Sequence, residues 1–263
     1  MEQQKFIRKN QAMFDAQRRQ EKKHKRRIAF YVLLFVSVTL IFLGVCFAVF
    51  LNVETFTVTG TSKYTPEQII GMIPVEVGEN IFSFSAGETE AKIKRALPYI
   101  GEIKISRDLP TAVVVEITEE TEYYAADIAG ETYILSPGLK VLERRKNTSA
   151  EKTGLTVLKL NSVKMCVVGE TVEFVDSRVY DAIIDLYGLF GDNTIISKIR
   201  SLDVRSRFDI YLNYDNRFDV YVGDMENADI KIKFLVGIIN DLYPDSKGSI
   251  DVSNHTEATY LPG

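Results

Sequence analysis

The sequence predicts an α+β protein: one N-terminal membrane helix, then a small β-α-α-β-β unit, then a larger mixed, mostly antiparallel β-region with two helices. Three observations carry this. An uncharged apolar run from Ile28 to Leu51 is 24 residues long. At ~1.5 Å per residue that run crosses a ~30 Å hydrocarbon core with some tilt. The residues behind it open in the order strand, helix, helix, strand, strand. Farther on, stretches of period-two alternation dominate, interrupted by two helical patterns.

The run is read as a signal anchor. A buried core helix shows a polar face, and this stretch carries no charge at all. A cleaved signal peptide has a core of only ~7–15 apolar residues and a small-x-small cleavage pattern, absent from Phe47-Ala48-Val49-Phe50. The cluster Lys22, Lys23, Lys25, Arg26 and Arg27 sets orientation by the positive-inside rule: the tail 1–27 cytoplasmic, everything after Leu51 exported. Tyr31 is the expected anchor at the inner boundary, since Trp is absent.

In the exported part, Val53 to Thr59 is β-branched and aromatic and ends at Gly60. Thr65-Pro66-Glu67-Gln68 is a capping box with Pro at the first helical position; Ile69, Met72 and Ile73 follow, and Pro74 closes the helix. Ser85-Ala86-Gly87-Glu88 starts a second helix with Ile93, Ala96 and Leu97 on one face and Pro98 as stop. Strands Ile103–Arg107 and Ala112–Thr118 flank the turn Asp108-Leu109-Pro110-Thr111. Strands Tyr123–Ile128 and Glu131–Leu135 flank Ala129-Gly130, and Ser136-Pro137-Gly138 turns next. Residues 143–153 read as an exposed polar loop and Thr156–Leu160 as a short strand. A helix runs from Asp176 or Ser177 to Gly191, with Val179, Ile183, Leu186 and Phe190 inward. Phe208, Ile210, Leu212 and Tyr214 alternate into a hairpin, turning at Asp215-Asn216 and returning through Phe218, Val220 and Val222. A helix from Ala228 to Leu242 stops at Pro244. The last strand is Ile250-Asp251-Val252, extending toward Leu261.

Charge divides at the apolar run. Residues 1–27 carry net +7 and the rest net −11, within a total of −4. So acidic an exported region is a poor polyanion binder, which argues against nucleic acid. With one cysteine in the span (Cys46) and one beyond it (Cys166), no internal disulfide is expected. The only histidines are His24 and His255, too few for a metal cluster or a His-based triad. Cys166 sits among Met165, Val167 and Val168, a setting for an inert thiol. Glu116, Glu119, Glu120 and Glu122 form an acidic run. Alternation puts Glu116, Glu120 and Glu122 on one side, a pattern an acid/base glycosidase could use and a solvated strand end also shows. Gly-rich phosphate loops are absent. No catalytic residue, metal, cofactor or small-molecule substrate is expected.

Three stretches carry a resemblance to a known family: Phe56-Thr57-Val58-Thr59-Gly60, Gly78-Glu79-Asn80-Ile81-Phe82 and Arg107-Asp108-Leu109-Pro110-Thr111. With Gly248-Ser249-Ile250-Asp251-Val252 near the end, their order and spacing behind a signal anchor resemble the FtsQ/DivIB family of bacterial cell-division proteins, and the composition looks more like the DivIB branch. The resemblance implies a cytoplasmic tail 1–27, an anchor 28–51, a POTRA domain 52–120 and a β-domain 121–263. It also implies a non-catalytic divisome scaffold at the septum, binding FtsL-like and FtsB/DivIC-like partners and supporting septal wall synthases. An edge strand with unpaired backbone groups invites strand addition. The expected docking residues are Ile250, Asp251, Val252, Ser253, Asn254, Thr256, Ala258 and Tyr260. After Val252 the tail lacks the aromatic that ends the corresponding FtsQ strand, so FtsQ contacts do not transfer residue by residue. The rival readings are a membrane-anchored cell-wall hydrolase or transferase using the acidic run, and an outer-membrane assembly factor. The latter requires POTRA repeats and a barrel of many ~10-residue strands.

Overall fold

A computed structural model describes residues 28–47 and 50–263. The basic residues Lys22, Lys23, Lys25, Arg26 and Arg27 lie outside the described residues. Helix α1 (Ile28–Phe47) is 20 residues long, and none of the residues in its most apolar window is buried inside the protein. At ~1.5 Å per residue it spans about 30 Å. Its two hydroxyls are satisfied within the helix: Ser37 donates to the Leu33 carbonyl and Thr39 to that of Phe35, each at 2.9 Å. A helix with every side-chain polar group paired internally suits a lipid surround, and α1 has the length and composition of a membrane anchor.

The chain forms two compact units. Of the described residues, one comprises 28–47, 50–57, Pro74–Phe84 and Ser106–Val114; the other comprises Val58–Ile73, Ser85–Ile105 and Val115–Gly263. In the first, Val53, Val75, Ile81, Phe84 and Val113 are buried.

The element order after α1 is β1 (Thr55–Thr59), α2 (Pro66–Ile70), α3 (Ala86–Ala96), β2 (Ile100–Asp108) and β3 (Ala112–Glu119), as the sequence predicts. The three strands lie in the order β1-β3-β2. Thr65 caps α2 with both arms of the capping box. Ser85 caps α3 by accepting from the Glu88 N–H. Gly60 has φ of 82°, and a Cβ there would collide with the Ile117 carbonyl, so strand β1 ends against β3 only because this residue has no side chain.

The second unit holds a nine-stranded sheet. In chain order its strands are β4 (Tyr124–Ile128), β5 (Glu131–Leu135), β6 (Val141–Arg145), β7 (Thr156–Lys159), β10 (Ile199–Asp203), β11 (Ile210–Tyr214), β12 (Phe218–Gly223), β13 (Gly248–Asp251) and β14 (Thr259–Pro262). Two short strands, β8 (Val163–Met165) and β9 (Glu173–Phe174), pair apart from it. The spatial order is β14-β13-β12-β11-β10-β7-β4-β5-β6. Pairing is antiparallel except at β13–β12, β10–β7 and β7–β4. The parallel joins β7–β10 and β12–β13 are bridged by helices α4 (Arg178–Asp192) and α5 (Ala228–Asp241), because a parallel pair needs a long crossover. Ile183, Leu186 and Phe190 of α4 and Ile232 and Leu235 of α5 pack with Leu202, Ile210, Leu212, Phe218, Val220 and Ile250 in one core. At the β11–β12 hairpin, Asp215 and Asn216 both have positive φ, 56° and 54°. That is the type I′ geometry the right-handed strand twist favours.

Three expectations are corrected. Glu143–Arg145 belongs to β6, and Ala150 is buried, its N–H donating to Asp127 Oδ1 at 3.0 Å. Charged residues suit an edge strand, so the polarity that suggested a loop marks an edge. Phe208 is exposed outside the hairpin, with the Arg207 guanidinium 3.8 Å from its ring centroid. The last strand does not run on from Ile250 to Leu261. It stops at Asp251, turns through Ser253–Ala258 and returns as β14. Asp251 Oδ1 accepts from the Ser253 N–H at 2.9 Å, and Asn254 Oδ1 accepts from the Thr256 N–H and hydroxyl at 3.0 and 2.8 Å. These side-chain turns make the reversal.

Candidate partner-docking edge

The reversal decides which strand is free. Strand β13 has β12 on one side and β14 on the other, so Ile250 and Asp251 have no unpaired flank. Ile250 and Val252 are buried in the core, and Asp251 is exposed on the opposite sheet face. Ser253, Asn254 and Thr256 form the turn, and Ala258 leads into β14. Of the residues expected to dock a partner, Tyr260 is the one within the edge strand itself.

Strand β14 pairs Thr259 with Asp251, Tyr260 with Ile250, Leu261 with Ser249 and Pro262 with Gly248. The Gly263 N–H donates to the Lys247 carbonyl at 3.0 Å, which sets the phase of the ladder. Antiparallel pairs alternate, so Leu261 and Thr259 turn their backbone groups to β13, while the N–H and C=O of Tyr260 point to the open side. Pro262 offers a carbonyl there and no N–H. The Tyr260 ring meets Phe218 edge-on, centroids 6.0 Å apart, and its hydroxyl donates to the Lys247 carbonyl at 2.8 Å. The edge residue is therefore held rigidly from the core side. Leu261 is 62% exposed on the other face. Gly248 makes the pairing possible: its φ is 151°, and a Cβ there would collide with the Leu261 carbonyl. The sequence marks Ile250 to Leu261 as the candidate edge and Gly248 as part of a family motif, but Thr259, Leu261 and Gly248 are not among the expected docking residues. The signal available was the Ser-Asn-His-Thr turn composition between two short β-prone runs.

The acidic run has other employment. Glu119 Oε1 accepts from the Thr61 hydroxyl at 2.7 Å and from the Ser62 and Lys63 N–H groups at 2.8 Å, and Oε2 accepts from the Ser62 hydroxyl at 2.7 Å. Burial pushes this carboxyl up, but those donors outweigh it and bring its pKa down to about 2. Glu122 is bound by the Tyr99 hydroxyl at 2.8 Å, Lys63 at 3.2 Å and Arg145 at 3.5 Å. Burial raises it and these three partners lower it, with a net downward shift. Glu116 and Glu120 line separate open hollows, the first with Glu90 and Lys104, the second with Lys140 and Glu170. The structure thus does not assemble Glu116, Glu120 and Glu122 into one site. Burial pushes the Cys166 thiol up to about 11, away from nucleophilic use. Among the described residues no cluster of three or more His, Cys, Asp or Glu could hold a metal ion, and His255 is exposed.

Comparison with known proteins agrees with this architecture. Residues 51–120 match the model of the POTRA domain, FtsQ-type. Along 236 residues the chain is 27% identical to cell division protein DivIB of Clostridium botulinum (strain Hall), covering 88% of this chain and 90% of that one. It is 24% identical over 207 residues to cell division protein FtsQ of Corynebacterium glutamicum, 77% of this chain and 86% of the other. With DivIB of Clostridium tetani it shares 25% identity over 209 residues, 78% and 77% of the two chains. The chain thus carries a POTRA domain of the FtsQ type behind a helix fit to span a membrane and is, along most of its length, similar to cell-division proteins of the DivIB and FtsQ kind.

Proposed function

We propose that this protein is a non-catalytic, membrane-anchored scaffold of the bacterial divisome, docking an extended segment of a partner onto strand β14. Its tail 1–27 faces the cytoplasm, 28–51 anchors it, and the POTRA domain 52–120 and β-domain 121–263 stand outside the membrane at the septum. The partners are FtsL-like and FtsB/DivIC-like division proteins, held so that septal wall synthesis is assembled and controlled. One observation carries the reading: the nine-stranded sheet ends in β14, whose outward Tyr260 backbone groups have no strand beside them among the described residues, in a chain related to cell-division proteins. Main-chain pairing supplies affinity in strand addition, and side chains of alternating direction supply specificity. The membrane helix confines the search for partners to two dimensions. Relatives that are cell-division proteins, and the failure of Glu116, Glu120 and Glu122 to converge on one site, support the non-catalytic reading over the hydrolase.

The test is binding of the detergent-solubilised chain to the extracellular segments of FtsL-like and DivIC-like proteins, by size-exclusion chromatography with light scattering. A stable complex that disappears when the chain is cut after Glu257 is the expected result. That cut removes β14 alone, whereas one at Ser249 also strips Ile250 and Val252 from the core. A complex indifferent to the cut sinks the edge reading. No complex at all, with folded protein, moves weight to an enzyme acting on wall fragments.

A further inference from the structure

The first unit leaves large apolar side chains bare where α1 ends. Val77 is 66% exposed, Leu109 56% and Phe82 44%. They belong to two different loops, Val77 and Phe82 to the connection between α2 and α3 and Leu109 to the β2–β3 turn, yet backbone bonds draw all three around the stretch where the chain leaves the helix. The Ile81 N–H donates to the Leu51 carbonyl at 2.8 Å, and Asn52 bridges Asn80. The Gly78 N–H, next to Val77, donates to the Val53 carbonyl at 2.7 Å. The Glu54 N–H donates to the Thr111 carbonyl at 2.8 Å, bringing the Leu109 turn beside the start of β1.

The helix itself touches this rim. Phe47 stacks on Phe82 with ring centroids 5.4 Å apart, and Asn80 Nδ2 donates to the Phe47 carbonyl at 3.1 Å. Arg107 stiffens the loop from below, donating to the Ile81 and Phe84 carbonyls at 2.8 Å each, with its guanidinium over both Phe82 and Phe84. Because α1 fills the hydrocarbon thickness, a ring stacked on its last turn sits at the bilayer boundary. The charges on the same loops are Glu54, Glu76, Glu79 and Asp108, against an Arg107 already engaged with carbonyls. Anionic headgroups are therefore not the attraction; apolar contact is.

We propose that this rim rests on the lipid: Val77, Phe82 and Leu109 insert into the bilayer interface at the face where α1 emerges. The occupant is the lipid surface itself, continuous with the surface around α1, and the inference rests on α1 spanning the membrane. It makes the first unit a foot that fixes its own angle on the membrane. An anchor alone leaves that angle free.

The test uses the full chain in phosphatidylcholine vesicles, with Cys46→Ala and Cys166→Ala, and single cysteines at Val77→Cys, Leu109→Cys or Val38→Cys carrying an environment-sensitive fluorophore. The expected result is several-fold quenching of the Val77 and Leu109 labels by lipids bearing a nitroxide near the headgroup. Protection of both from aqueous iodide should accompany it, unchanged when anionic lipid is added. The Val38 label should respond to nitroxides deep in the acyl chains. A quenched Val38 label with iodide-accessible Val77 and Leu109 overturns the proposal and leaves the anchor standing. A Val38 label that deep nitroxides do not reach overturns both.

Discussion

The nine-stranded sheet has two edges, and they are built in opposite ways. Strand β6 is shut. Its pairing with β5 shifts register between Ile134 and Leu135, its outer residues are Glu143, Arg144 and Arg145, and its first residues bond to another loop. There Val141 donates to the Glu170 carbonyl at 2.9 Å and accepts from the Gly169 N–H at 2.8 Å. Arg145 reaches Glu143 at 3.0 Å, and Glu143 lies 3.2 Å from the Tyr99 hydroxyl. An irregular register, charges and a covering loop are the devices that keep an edge from recruiting strands. Strand β14 has an exposed Leu261, a Tyr260 packed from behind, and a single Pro as its only blunting device. The difference teaches that one sheet can blunt one edge and leave the other open, and the proposed docking at β14 relies on that asymmetry.

That contrast can be broken at four places. Gly248→Ala has the largest expected effect: forcing a Cβ against the Leu261 carbonyl at a positive φ costs about 1–3 kcal/mol of local strain. It should abolish partner binding and lower the urea midpoint together. Tyr260→Pro removes the outward N–H and should weaken binding by about tenfold, the equivalent of ~1.4 kcal/mol for one hydrogen bond. Tyr260→Phe, which keeps that N–H and the ring, should bind like the parent in the same titration. On the closed edge, Tyr99→Phe should cost at most about 1 kcal/mol in chemical denaturation, since Glu122 keeps Lys63 and Arg145. Partner affinity should not change, and a loss of binding there would erase the distinction between the edges.

The smallest effect is a pH dependence. Glu119 has a pKa of about 2 in the folded chain against an ordinary 4.5. A depressed carboxyl contributes stability that is present above pH 4.5 and is lost as pH falls toward 2. Melting curves of the parent and Glu119→Gln should therefore differ at neutral pH and converge between pH 4.5 and 2. A gap that stays constant across that window would mean the Glu119 bonds with Thr61, Ser62 and Lys63 do not depend on its charge.

Much of the fold was legible in the sequence because its signals are local. The Thr65 capping box, the Asp215-Asn216 turn and the Ile183-Leu186-Phe190 face of α4 each lie within a few residues of their cause. What escaped depends on distant partners. Glu119 reads as one more surface carboxylate until the chain brings Thr61 to it across 58 positions. No local signal marks Lys231 as buried, yet it is 2% exposed, its Nζ held by the Asp224 carbonyl and carboxylate at 3.0 and 2.9 Å. Strand β6 hid because an edge carries the polarity of a loop. The free strand edge lies after the turn, within the Ile250–Leu261 stretch the sequence singles out, while Ile250 and Val252 ahead of the turn are apolar for the core.

Strand addition makes one direct claim about one atom group, the Tyr260 N–H. Hydrogen exchange at that amide, followed with and without saturating FtsL-like and DivIC-like segments, reads it. The account predicts exchange slowed by at least about tenfold on binding, as expected when a free edge amide becomes part of a ladder, with the β6 amides unchanged. A saturated complex in which Tyr260 exchanges at its free rate would contradict it.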